Sequence, residues 1–280
     1  MKKTTKIIIG LLVGMPLLIV TFIFLFTWVL MQPNEYRNFN LRSDNSVTIE
    51  LPACKAIEFR QGGVEFIPVS EGRYEMTNPF YFSEDGDVYL TSTSDAQGKF
   101  VISEKLKPYT DVTMRGDTCI ISFAFPRENC PEQFREIGLL HVISGDMHLS
   151  LPKEVEYIKD GVLNLFSCTD LSCGRLTFDA NARIDIFDSN IDTLNVQSSL
   201  LLQLKSGHVK HLFVNADNVN WQQSYNAAFV DVEHISGTRN VRRYITSDEN
   251  RITWEPKSDH AGLELVLAGP MEVEVNKPSE

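Results

Sequence analysis

Asp170 and Asp188 are the two carboxylates whose spacing could do chemistry. They stand 18 residues apart, and Ser206 follows at the same interval. If strands stack with that period, the two acids lie about 5 Å apart, the separation of neighbouring strands. Oxygens paired that closely can hold Ca²⁺, or serve as acid and base in sugar chemistry with Arg175 nearby. The competing reading is turn chemistry. Cys168-Thr169-Asp170 and Asp188-Ser189-Asn190 read as bends, where Asp bonds its own backbone. Aromatic residues form a second group. Phe213 and Phe229 occupy outward places in their segments, with Trp221 and Tyr225 close by. Rings along one outer face stack on a glycan, meet a partner protein, or pack under the C-terminal segment. The candidate binding set is therefore Asp170, Asp188, Phe213, Phe229, Trp221 and Tyr225.

The five cysteines offer less. Cys168 and Cys173 have a gap that suggests metal ligation, but both fall among inward apolar positions, where a free Cys acts as a small hydrophobe. Cys119 and Cys130 flank a Pro126-containing turn and are the disulfide candidates. Cys54 pairs with either or stays free, since an odd total leaves at least one thiol over. His208 and His211 should face opposite sides of a strand. No zinc spacing, P-loop, dinucleotide fingerprint or nucleophile elbow occurs, so no metal ligand set or catalytic residue is assigned.

An 18-residue repeat positions these groups. Four boxes carry it: Arg175-Leu176-Thr177-Phe178, Thr193-Leu194-Asn195-Val196, His211-Leu212-Phe213-Val214 and Phe229-Val230-Asp231-Val232. Adding 18 aligns Ile158, Leu176, Leu194, Leu212 and Val230 in one apolar column, and Phe178, Val196, Val214 and Val232 in another. Phe166, Ile184 and Leu202 form a third, and Cys168, Ile186 and Leu204 a fourth. Asp160 is the blemish, falling where Phe178 and Val196 are apolar. A fixed period is the signature of stacked units that bury a core only together. The expected fold is all-β: a right-handed single-stranded β-helix solenoid of about 18 residues per coil, preceded by one N-terminal transmembrane helix. Before the repeat, alternation in Val47-Thr48-Ile49-Glu50-Leu51 and Cys119-Ile120-Ile121-Ser122-Phe123 argues for further strands. A short helix is expected near Pro131.

Residues 7–31 contain no charge, and Lys2, Lys3 and Lys6 precede them. About 20 apolar residues span a bilayer, and lysines mark the cytoplasmic side. The run is too long for a signal-peptide core and lacks a small-residue cleavage site. The expected order is a cytoplasmic tail at 1–6, a signal anchor at 7–31, a linker at 32–40 and a β-rich part at 41–136. Solenoid repeats at 137–245 and closing strands at 246–280 follow. The bulk of the chain is placed outside the cytoplasm, anchored to the membrane through 7–31.

The anchor, followed by boxes such as Thr193-Leu194-Asn195-Val196 and Ser206-Gly207-His208-Val209, resembles the GIN-domain, or auto-transporter adhesin head, proteins of Bacteroidetes. The resemblance covers about 137–245. It implies an envelope or adhesion role and supplies no catalytic residues.

A net charge of −11 disfavours nucleic acid as a partner. The functional expectation is a non-enzymatic envelope module for binding, adhesion or scaffolding, with a glycan or an envelope protein as partner. It needs no cofactor, Ca²⁺ at Asp170 and Asp188 being the one candidate. The alternatives are a carbohydrate-active lyase or hydrolase on the same scaffold, and a self-assembling structural protein.

Overall fold

Neighbouring strands of the repeat pair in parallel, and the offset is the one the apolar columns require. Arg175 pairs with Thr193, and Thr193 with His211. Leu165 pairs with Arg183, and Arg183 with Leu201. The structure, a computed structural model, describes residues 15, 21, 38–63, 66–70, 73–83, 86–136, 138–223, 228–245, 251–267 and 273–275. From residue 38 onward the described regular structure is strand, apart from three 3₁₀ turns at Lys107–Tyr109, Arg127–Asn129 and Glu132–Phe134. The last turn lies where a short helix was expected.

Apolar side chains drive the pairing. Leu176, Leu194 and Leu212 are buried, as are Phe178, Val196 and Val214, and Phe166, Ile184 and Leu202. Each fully buried side chain of this size stabilises by roughly 1.5–3 kcal/mol. The inward positions Ile191 and Leu194, and likewise Val209 and Leu212, are three apart, so two residues bulge outward between them. This local turn puts both His208 and His211 within reach of solvent, rather than on opposite sides of the strand.

The expected β-helix solenoid is corrected: the sheet is a curled half-barrel. Two features overturn the solenoid. In a single-stranded coil every turn runs parallel to the last. Here Ser46–Glu50 and Met147–Leu151 both pair antiparallel with Lys99–Ser103, and Thr110–Arg115 pairs antiparallel with Thr118–Phe123. Antiparallel ladders of this kind have no place in a stack of parallel coils. Second, Ser189–Leu204 runs as one 16-residue strand. Its first half pairs with Ser172–Ala180 and Gly207–Asn215, and its second half with Arg183–Phe187 and Val219–Gln223. A strand shared in this way bends the sheet continuously instead of turning a corner between separate faces.

The expected transmembrane helix is corrected as well. Among the described residues no helix is long and apolar enough to cross a membrane. Nearly all of the 7–31 segment on which that expectation rested lies outside the described residues.

Residues 39–280 form one unit. Strands before the repeat join it directly: Ala56–Gln61 pairs with both Thr118–Phe123 and Tyr157–Asp160, and Asp87–Ser92 pairs with Met147–Leu151 and Leu165–Thr169. The strict period fails at both ends of the repeat. Ile158 pairs with Phe178, not Leu176, which puts Asp160 beside Ala180 and Phe59. At the other end Val209 pairs with Val230 and Leu212 with Glu233, three residues beyond the period. Phe229-Val230-Asp231-Val232 is therefore not the box stacked on His211–Val214. Val232-Glu233-His234-Ile235 takes that place, with Glu233 fully buried between Leu212 and Ile252. The main apolar cluster ends at Val230, and a smaller one of Ile235, Ile252 and Trp254 follows.

Candidate functional site

A row of side chains crosses the sheet at right angles to its strands: Asn195 pairs with Phe213, Phe213 with His234, and His234 with Thr253. Each lies in an alternating segment whose neighbours point into the core, so the row is presented outward. Phe213 retains 39% of its surface. Its ring lies flat on the His234 imidazole, with centroids 4.1 Å apart and planes 7° from parallel. His234 Nε2 is 3.4 Å from His211 Nδ1. On the same strands His208 Nε2 meets Asp231 Oδ1 at 2.8 Å.

The row opens into a cleft of about 460 Å³, whose lining includes Asp179, Asn195, Gln197, Ser198, Asn218 and Glu255 beside the rings. Its floor is shaped by a register shift between Phe178 and Asp179. A bulge of this kind re-aims the side chain that follows it. Asp179 is then fixed: Ser198 Oγ donates to its Oδ1 at 2.6 Å, and the Tyr157 hydroxyl donates to Oδ2 at 3.1 Å. Burial, and then the Asp179 carboxylate, push the Tyr157 hydroxyl pKa up, which keeps it a donor. Burial lowers the pKa of His234, with His211 and Arg251 adding to the effect. A lowered His pKa leaves the stacked imidazole neutral at pH 7. Glu255 is engaged by Lys257 at 2.5 Å. The lining is thus amide, hydroxyl and neutral aromatic groups, with its acids already paired. Amides and hydroxyls of this kind can exchange hydrogen bonds with the hydroxyl groups of a ligand, and the rings can stack on its apolar faces.

Of the residues singled out from the sequence, Phe213 stands in this cleft. Phe229 pairs through its backbone with His208, and Trp221 with Leu202. Tyr225 lies outside the described residues. Sequence reasoning missed His234, Asn195, Ser198 and Thr253. The signal for His234 was the alternation of Val232-Glu233-His234-Ile235, hidden because its inward position carries a Glu.

Asp170 and Asp188 sit apart from the cleft, exposed at stacked corners. Both have positive φ, 54° and 46°, the left-handed conformation that Asp adopts in turns. Asp188 N donates to Ser206 Oγ at 2.8 Å, and Asp170 N to the Phe187 carbonyl at 3.3 Å. Among the described residues no group of three or more His, Cys, Asp or Glu could hold a metal ion. Asp192 and Lys210 form a surface ion pair at 2.5 Å. All five cysteines are free. Cys168 is fully buried, and burial pushes the half-buried Cys173 thiol up to about 11. Cys119 is hydrogen-bonded to Cys54 rather than brought to Cys130, which stands against Arg127.

No family model matches the chain, and no curated protein does. Solved structures do align with it. A candidate adhesin from Bacteroides fragilis NCTC 9343 is 10% identical, with 85% of this chain and 100% of that chain covered and a TM-score of 0.43. A candidate lipid-binding protein from Parabacteroides distasonis ATCC 8503 is 10% identical over 84% and 99%, with a TM-score of 0.40. A candidate adhesin from Parabacteroides merdae ATCC 43184 is 12% identical over 83% and 95%, with a TM-score of 0.33. At these values the likeness carries no functional argument, and the site itself must carry the reading.

Proposed function

We propose that this is a non-enzymatic binding protein that takes a neutral glycan in the cleft over Phe213 and His234. One observation carries the reading: a half-exposed aromatic ring, backed flat by a neutral imidazole, at the edge of a cleft of amides and hydroxyls. A sugar ring presents C–H faces to such a platform and hydroxyls to the polar lining. The paired state of Asp179 and Glu255 supports binding over hydrolysis, because a glycosidase needs one carboxyl held protonated and another free to act.

The test is a glycan-array screen of the purified protein, followed by calorimetry with the best neutral oligosaccharide. Phe213→Ala should weaken that binding at least tenfold. Turnover of a polysaccharide, or glycan binding unchanged in Phe213→Ala, would overturn the proposal.

A further inference from the structure

We propose that Cys54 and Cys119 are an internal cross-linking site, which closes to a disulfide when the chain folds in contact with a disulfide oxidant. The backbone brings the two together from distant points in the sequence. Ala56–Gln61 pairs in parallel with Thr118–Phe123, Ala56 against Thr118 and Ile57 against Cys119. Cys54 lies two residues before the first of these strands. The Asp117 carbonyl clamps the entrance, accepting from Lys55 N at 2.9 Å and Ala56 N at 3.2 Å. Both side chains belong to the main apolar cluster, Cys119 fully buried and Cys54 7% exposed. The two thiols are hydrogen-bonded to each other.

Thiols inside an apolar core are ordinary packing groups when each stands among hydrocarbon. Two that meet there are different, because sulfur-to-sulfur contact is what disulfide exchange requires. Cys54, the less deeply buried of the two, is the sulfur that an oxidant reaches as the chain closes. In the first step the Cys54 thiolate attacks a sulfur of oxidised glutathione, and one glutathione leaves as its thiolate. Cys119, losing its proton, then attacks the Cys54 sulfur of the mixed disulfide and expels the second glutathione. The oxidant's disulfide is reduced to two thiols, which take up the two cysteine protons, and one protein disulfide is formed. Because both sulfurs are buried in the native state, the exchange takes place during folding. The bond closes a long loop, the case in which a cross-link restricts the unfolded chain most. It would tie the strands before the repeat to one another at the point where they enter the sheet.

The experiment refolds the full chain from denaturant in a glutathione redox buffer, traps thiols with iodoacetamide and maps the peptides. The expected result is one linked peptide joining Cys54 to Cys119, with Cys130, Cys168 and Cys173 alkylated. The oxidised protein should melt several degrees above the same sample treated with dithiothreitol. Cys130→Ser should keep the link. Five alkylated cysteines in correctly refolded protein, or a link that includes Cys130, would overturn the inference.

Discussion

Replacing Asp160 by Asn should remove most of the loss of stability that this protein suffers between weakly acidic and weakly alkaline pH. Asp160 ends the strand Tyr157–Asp160 and is 6% exposed, flanked through its backbone by Phe59 and Ala180. Its Oδ1 accepts from Val162 N and Leu163 N, each at 3.0 Å. Its Oδ2 is buried with no hydrogen-bond partner among the described residues. Burial outweighs the backbone donors and raises the carboxyl pKa to about 7. An unfolded Asp titrates near 3.9. The folded state therefore keeps a proton that the unfolded state has already lost, and stability falls as pH rises from about 4 to about 7. A shift of about three units corresponds to about 4 kcal/mol, of which about 2–3 kcal/mol falls between pH 5 and pH 8. Asn keeps the Oδ1 acceptor, and with it the turn, but cannot ionise. Urea denaturation at pH 5 and pH 8 should therefore show Asp160→Asn gaining about 2–3 kcal/mol on the native protein over that interval. Asp160→Ala, which loses the turn bonds, should be the less stable at pH 5. Parallel stability–pH curves for the native protein and Asp160→Asn would refute the reasoning, because they would mean that Asp160 does not titrate on unfolding.

Gly207 has φ of 98°, and a Cβ there would lie 2.2 Å from the Ser189 carbonyl oxygen. Gly207→Ala should cost more than about 3 kcal/mol, since the obstacle is backbone, measured by denaturant melting. Asp188→Gly should be tolerated to within about 1 kcal/mol, while Asp188→Val should lose about 1–2 kcal/mol, because positive φ suits Gly and penalises a branched side chain. If Asp170 and Asp188 are turn residues only, millimolar Ca²⁺ leaves the thermal midpoint unchanged; a rise abolished in Asp188→Ala would assign them to an ion. Phe213→Ala should reduce stability by only about 0.5–1.5 kcal/mol, the worth of a surface ring pair, so a loss of glycan binding reads on the cleft and not on the fold.

The 18-residue spacing was legible because burial repeats with it. Leu176, Leu194 and Leu212 are interchangeable in volume and equally excluded from water, and their alignment in the string is their alignment in the sheet. Phe213 was legible for the same reason, as a large apolar residue in an outward place. Asp170 and Asp188 stand in a turn conformation with positive φ, a backbone state that the residue types leave open. The register slips were not legible. Phe229-Val230-Asp231-Val232 looks more like its predecessors than Val232-Glu233-His234-Ile235 does, but the second takes the place beside His211–Val214.

The sequence by itself determined that the chain is all-β and which strands of the repeat lie side by side, since a period in apolar residues is a local property that pairing must satisfy. Only the tertiary structure decided that the sheet curls as a half-barrel rather than winding as a solenoid, that His234 lies on Phe213, and that Cys54 meets Cys119. Those outcomes depend on antiparallel strands from before the repeat, on a strand that spans both halves of the sheet, and on where three extra residues are absorbed. None of these leaves a periodic mark. Each is fixed by the balance of burial and hydrogen bonding between segments far apart in the chain.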